Sequence, residues 1–287
     1  MPARPLVNAG LNDPYRAIDS QPDPGQFIAI LESRGKATSQ IRLRRGFLRF
    51  AGIRPGWDVL EVGCGTGVLC RDLARMVGPR GHVTGVEPSR VFTQAARRLA
   101  REEGLGDRID FRAGDGTALR LPAGRFDCAL AVTVLLHVPD PRAIVAELAR
   151  VTRPGGVVGL QDQDMGTLVL DHPDRALTQR IFEGVARRNY VDPFSGRTLV
   201  RRLVEQGLTR VRLRTDVYQD TACEPFTRAM LERRAQHAVE FGLASARAAA
   251  RWMAEIERSV AAGRFLLTLN FYGAVGIKPG ARGGSSR

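Results

Sequence analysis

Lysine is nearly absent. Of 43 basic residues in a chain of 287, only Lys36 and Lys278 are lysine and the rest are arginine. Against 30 acidic residues this leaves a formal net charge of +13, which first raises a nucleic-acid or acidic-membrane partner. The lopsided arginine usage fits a coding bias better than a phosphate-binding face, which commonly draws on both cations. The densest clusters, "RLRR" at 42–45 and "RVRLR" at 210–214, sit inside amphipathic patterns, so the charge is read as solvated surface. Long apolar runs are missing too: nothing approaches the roughly 20 uncharged residues of a membrane helix, and no membrane span is expected. The start, "MPARPLVNAGLNDPYRAID", lacks the apolar core of a secretory signal, so the expected location is the cytoplasm. Cysteine is scarce: Cys64, Cys70, Cys128 and Cys223 form no CxxC and have no histidine nearby. Such spacing offers neither a zinc site nor a disulfide framework, and no metal is expected.

What is present is a regular alternation. Short apolar runs at 58–62, 82–87, 109–115, 126–132 and 156–162 read as five parallel strands. Amphipathic segments separate them, with Ile144, Leu148 and Val151 at i, i+4, i+7 after "VPDPR", and Leu99 in a helix ending on Gly104. Strand then helix, repeated, means a sheet covered on both faces. Further on, Leu177, Ile181 and Val185 mark an inserted helix, and a second helix turns Leu199, Leu203 and Val204 inward. Arginine-rich 209–218 reads as a strand with Val211, Leu213 and Val217 on one face. Residues 225–262 are helical, with Trp252, Ile256 and Val260 at spacing four, and 265–279 supplies a last strand. The pattern yields one domain over 1–279: an N-terminal helical lid at 1–52, a core at 53–165, insertion helices and substrate-side elements at 166–262, and the last strand at 263–279. The tail 280–287 is expected to be disordered. No internal repeat and no second independent core is evident.

The stretch "VLEVGCGTGVLCRDLARMVG" at 59–78 runs a strand into glycines at 63, 65 and 67. Such a turn lets the backbone touch a ligand and aims helix N-terminal amides at it. A dinucleotide fingerprint is GxGxxG; here Val68 stands where its third glycine belongs, which disfavours a pyrophosphate. Glu87 ends the second strand, where a carboxylate can take both hydroxyls of a ribose. "GDG" at 114–116 ends the third, where Asp115 can accept from an adenine amino group. Together these elements define an adenosine-shaped slot at the strand ends.

At these residues the chain resembles the class I S-adenosylmethionine-dependent methyltransferases: "VLEVGCGTG", Glu87, "AGDGTALRLPAGRFD" and the "RPGG" turn occur in that family's order, over roughly residues 45–165. Within the family it is most similar to the small-molecule branch of quinone-biosynthesis and natural-product methyltransferases, whose "LHHV"-type motif stands here as "LLHVPDP" at 135–141, with Leu136 for the first histidine. The resemblance implies a Rossmann-like α/β fold with a seven-stranded sheet, an antiparallel last strand and helical lid insertions. It also implies S-adenosyl-L-methionine as cofactor, held by Gly63, Cys64, Gly65, Gly67, Glu87, Pro88, Asp115, Gly116 and Val132, with no metal required. The partner implied is a small-molecule methyl acceptor; a homodimer is compatible with the sequence.

Methyl transfer from a sulfonium is an in-line displacement that depends chiefly on positioning. If the acceptor is a hydroxyl or amine, His137 is the leading base, though a histidine there also suits packing or capping the next helix. Asp162 is the alternative base, and both Asp162 and Asp164 of "QDQD" are candidates to hold substrate, with turn chemistry the competing reading. His82, His172 and His237 read as structural. Tyr15 and the helices before residue 52 are expected over the cofactor, with Phe194, Phe226, Met230, Phe241 and Trp252 as pocket lining or core. O-, N- and C-methylation stay open. Two other readings remain: an RNA methyltransferase, favoured only by charge and lacking an RNA-binding module or "NPPY"-type motif, and a binder of the same cofactor with another reaction or none.

Overall fold

The computed structural model of the chain describes residues 13–280; the expected tail, Gly280 apart, and residues 1–12 of the expected lid lie outside them. The first five strands are β1 (Asp58–Val62), β2 (His82–Glu87), β3 (Ile109–Ala113), β4 (Phe126–Val132) and β5 (Thr152–Gln163). They run parallel in the order β3-β2-β1-β4-β5. Val59, Leu60 and Val62 are all buried, the near-continuous apolar run that a strand covered on both faces requires. Beyond them lie the two-residue β6 (Val169–Leu170), β7 (Thr209–Asp220) and β8 (Leu267–Ile277). β8 runs antiparallel to β5 and β7 antiparallel to β8, which completes the expected seven strands; β6 adds a short pair on β8 beyond the end of β5.

The helices are α1 (Pro24–Lys36), α2 (Thr38–Ala51), α3 (Val68–Val77), α4 (Arg90–Glu102), α5 (Pro141–Val151), α6 (Arg175–Asn189), α7 (Leu199–Glu205), α8 (Pro225–Glu240) and α9 (Ala246–Ala261). Asp23, Ser89, Asp140, Asp174 and Ser245 cap their N-termini through side-chain oxygens, each cap contributing about 1 kcal/mol. One sheet face packs on Phe47, Leu73 and Ala96, the other on Ile144, Leu148, Leu199 and Leu203. A further apolar cluster centres on Trp252 where α6, α8 and α9 meet β8. It joins the sheet through Leu267, Leu269 and Phe271 and so extends the sheet's packing into the insertion.

Two inward-facing assignments fail. Val204 is 57% exposed, about 100° round α7 from buried Leu203. Val211 packs beside α7, but Leu213 and Val217 on the same face are exposed, because a seven-residue helix is too short to cover them. The buried face of β7 is the other one, carrying Tyr218 and Asp220.

Candidate active site

β1 ends in a turn whose three glycines all adopt left-handed φ, from +54° to +77°. A Cβ on Gly63 would stand 2.5 Å from Val134, and one on Gly67 would stand 2.6 Å from Phe111, so neither position admits a side chain. Glu87, at the end of β2 and buried by the turn, accepts from Gly65 N (2.9 Å) and Ser89 N (3.1 Å). Burial pushes its carboxyl above the usual range despite these bonds. Asp115 is exposed and accepts from Thr117 N at 2.8 Å. A cavity of about 830 Å³ opens over these strand ends and is lined by eight of the nine sequence-nominated cofactor residues. Gly67 is the exception; it stands at the N-cap of α3 behind the loop.

Two lining groups at this end went unread in the sequence. Glu61 precedes the glycines, accepts from Cys70 Sγ at 2.9 Å, and has its carboxyl pushed up to about 8 by burial. Thr133, at the end of β4, holds a left-handed φ of +56° and lines the cavity. Such strain in a non-glycine residue often accompanies a functional site.

From the N-terminal segment, Tyr15 and residues of α1 and α2 line the cavity. Arg71 of α3, 5% exposed, bonds Glu32 of α1 at 2.7 Å and the Thr66 carbonyl of the glycine turn at 2.8 Å. Thr66 Oγ1 donates to the same Glu32 carboxylate at 2.7 Å. This buried cluster ties α1 to the cofactor loop. Farther out, Asp19 accepts from Ser89 Oγ and from the amides of Arg90 and Val91; those bonds, the Ser89 hydroxyl foremost, hold its pKa low.

His137 closes a 3-10 turn at Leu135–His137 and faces the cavity between the rings of Tyr15 and Tyr190, centroids 5.2 and 5.5 Å away. Its Nδ1 lies 2.5 Å from Asp13 Oδ2, a residue 124 positions earlier. Asp13 is buried and also accepts from Tyr15 N at 3.0 Å. A neutral ring donating from Nδ1 to this carboxylate keeps Nε2 as an acceptor. The Tyr15 phenol, pushed up to about 12 by burial, is a donor rather than a base at neutral pH.

Neither aspartate of "QDQD" lines the cavity; the two glutamines do. Strand side chains alternate, so Gln161 and Gln163 share the cavity face of β5 and Asp162 takes the opposite one. Asp162 is fully buried, and its Oδ2 accepts from Leu136 N (3.0 Å) and Ser195 Oγ (2.8 Å), so it holds the turn that carries His137. Burial pushes its carboxyl up to about 7. Asp164 caps Gly166 and pairs with Arg197. Gln161 is 3% exposed and its Nε2 has no partner among the described residues, which leaves a buried donor at the cavity wall. Phe226 and Met230 line the cavity, whereas Phe194, Phe241 and Trp252 do not. His237, read from the sequence as structural, does line it, bonded to Asn189 and stacked on Phe241. Among the described residues no cluster of three or more His, Cys, Asp and Glu is arranged to hold a metal ion, and no helix is long and apolar enough to cross a membrane.

Comparison with known proteins agrees with this geometry. Residues 59–156 match the family described as "Methyltransferase domain". An uncharacterized 37.1 kDa protein in transposon TN4556 of Streptomyces fradiae is 34% identical over 226 residues, 76% of this chain and 62% of that protein. Nocamycin O-methyltransferase of Saccharothrix syringae is 41% identical over 107 residues, 37% of this chain and 38% of that enzyme. The chain thus spans less than two thirds of the length of these relatives. Among solved structures, that of the [4+2]-cyclase SpnF shares the fold with a TM-score of 0.54 at 24% identity, over 86% of this chain and 85% of that one. The glycine turn and the acidic end of β2 both lie inside the matched region, so residues 59–156 are similar to the methyltransferase domain family where the cavity opens.

Proposed function

We propose that this protein methylates an enclosed small molecule at an acidic hydroxyl, using S-adenosylmethionine. One observation carries the reading: a single cavity runs from the glycine turn, Glu87 and Asp115 past His137 to α6 and α8. The chemistry of the donor set suits the cofactor. The bare backbone at Gly63 and Gly65 receives its amino-acid portion, Glu87 its ribose hydroxyls, and Asp115 its adenine amino group. When bound, the cofactor supplies an electrophilic methyl group on a sulfonium centre.

The chain's own residues do the rest. His137 Nε2 takes the proton from the acceptor hydroxyl while Asp13 on Nδ1 fixes the tautomer and steadies the positive charge that develops on the ring. Asp162 acts through the backbone of Leu136 as a positioning residue. The α1 roof and the insertion helices exclude water, which supports a compact acceptor rather than a polymer. Titration calorimetry of the full chain with S-adenosylmethionine and with its demethylated product tests the first step, and both should bind. Incubation with phenolic and enolic acceptors should then yield the O-methyl product; a folded chain that binds neither cofactor form overturns the reading.

A further inference from the structure

The far wall of the cavity carries cations without counterions. Arg233 and Arg234 lie on α8 and Arg34 on α1, which pack against each other, and all three line the cavity. Arg234 is 5% exposed; its Nη2 reaches only the sulfur of Met165, 3.3 Å away, its guanidinium lies over Phe182, and its Nε has no partner. Arg233 makes no hydrogen bond or ion pair with the described residues, and Arg34 bonds only the Gln40 amide oxygen, at 3.3 Å. Tyr15 feels the charge of Arg34 and Arg233, and His237 that of Arg233 and Arg234, which places the group around one region.

The acidic residues lining the cavity are all engaged elsewhere. Asp13 holds His137 and Tyr15 N, Glu61 meets Cys70, Glu87 meets Gly65 N and Ser89 N, and Asp115 meets Thr117 N. A guanidinium buried with an unsatisfied N–H is costly unless something supplies acceptors. Arginine's fork matches a carboxylate or phosphate, two bonds at a time. The wall also carries the apolar side chains Phe226, Met230, Leu267, Leu269 and Phe271, together with Asn189 and His237.

We infer that Arg233 and Arg234 form a subsite for an anionic oxygen group, a carboxylate or a phosphate, at the end of an otherwise apolar acceptor. This rests on the proposed function for the word acceptor, but the subsite itself is defined by α8 alone. Arg34, whose helix also packs on α3 near the glycine turn, adds positive potential between this subsite and the cofactor end.

The test is calorimetry on the full chain, with and without S-adenosylhomocysteine, using three probes of one shape: 4-phenylbutanoate, 4-phenylbutyl phosphate and 4-phenylbutanol. At least one anion should bind about tenfold or more tighter than the alcohol, the scale of a lost charged hydrogen bond, and which one identifies the group. Arg233→Met and Arg234→Met should abolish that preference while leaving S-adenosylhomocysteine affinity unchanged, which also reports that the variants fold. Arg234→Lys, keeping charge without the fork, should retain part of it. Equal binding of alcohol and anions, no binding of either anion, or a preference that survives both methionine substitutions together overturns the inference. Anion preference without S-adenosylhomocysteine binding would remove the proposed function and keep the subsite; the reverse would remove the subsite and keep the function.

Discussion

At one end of the cavity the ligand-facing groups come from successive strand ends between Gly63 and Val132; at the other they come from Asp13, Arg34, His137, Tyr190 and α8, brought together across most of the chain. The first end works through backbone. Glycines clear space at the strand ends, so its sequence signature is local and rigid. The second works through long side chains on helices, where the same residue types serve equally well as core or surface. One half can therefore be fixed within a family while the other is refitted to a new acceptor.

The sharpest way to divide the two halves is His137→Ala. With a hydroxyl acceptor turnover should fall by roughly 10²–10⁴-fold, the usual range for a general base, with cofactor affinity nearly unchanged. The lower limb of the pH–rate profile should disappear. Asp13→Asn should move in the same direction by a smaller factor, and Asp162→Asn, a near-isostere behind the turn, should cost less than either. Full turnover by His137→Ala on a phenol would break the assignment and leave geometry to carry the chemistry.

Trp252→Ala attacks only the acceptor half. The indole is 1% exposed, packs edge-on against Phe182 and donates to Thr178 Oγ1 at 2.9 Å. Its loss should destabilise the protein by about 3–5 kcal/mol, read as a lower urea midpoint. Product binding at the other end should survive wherever the variant is folded.

Glu87→Ala attacks the cofactor half. Each hydrogen bond to a charged group contributes roughly 1.5–3 kcal/mol, so S-adenosylmethionine affinity should fall by about one to three orders of magnitude. The preference for anionic over neutral probes at Arg233 and Arg234 should not change. If both fall together, the two ends are not independent.

The smallest expected effect is on stability against pH, where each half contributes one buried acid. Burial raises Glu61 from 4.5 to about 8 and Asp162 from 3.8 to about 7. The fold thus holds protons that the unfolded chain releases. Stability from these groups is full below their unfolded values and declines as pH rises through the folded ones. Urea midpoints of the wild type should drop between roughly pH 5 and pH 8. The Glu61→Gln/Asp162→Asn pair should flatten that slope, and an unchanged slope would show that neither acid binds its proton this way.

Strands β1 to β5 and the glycine turn were legible because each depends on its neighbours in sequence: alternation makes the strand and bare backbone the loop. The "QDQD" run shows where such reading stops. Its composition names two aspartates, but the pleat turns both glutamines to the cavity and sends Asp162 to hold the turn behind His137. The same limit applies to Leu213 and Val217, whose alternation is correct but whose cover, α7, ends too soon.

By itself, then, the sequence determined parallel strands alternating with helices and a glycine turn at the strand ends, because periodicity and glycine placement act over a few residues, while the antiparallel last strand came only as what the family resemblance implies. Only the tertiary structure decided that Asp13 meets His137, that Glu32 and Arg71 clamp α1 to the loop, and that α8 presents arginines without counterions to the cavity. Those choices depend on which distant helices pack together, and hence on which charges are left without a partner once the chain has excluded water.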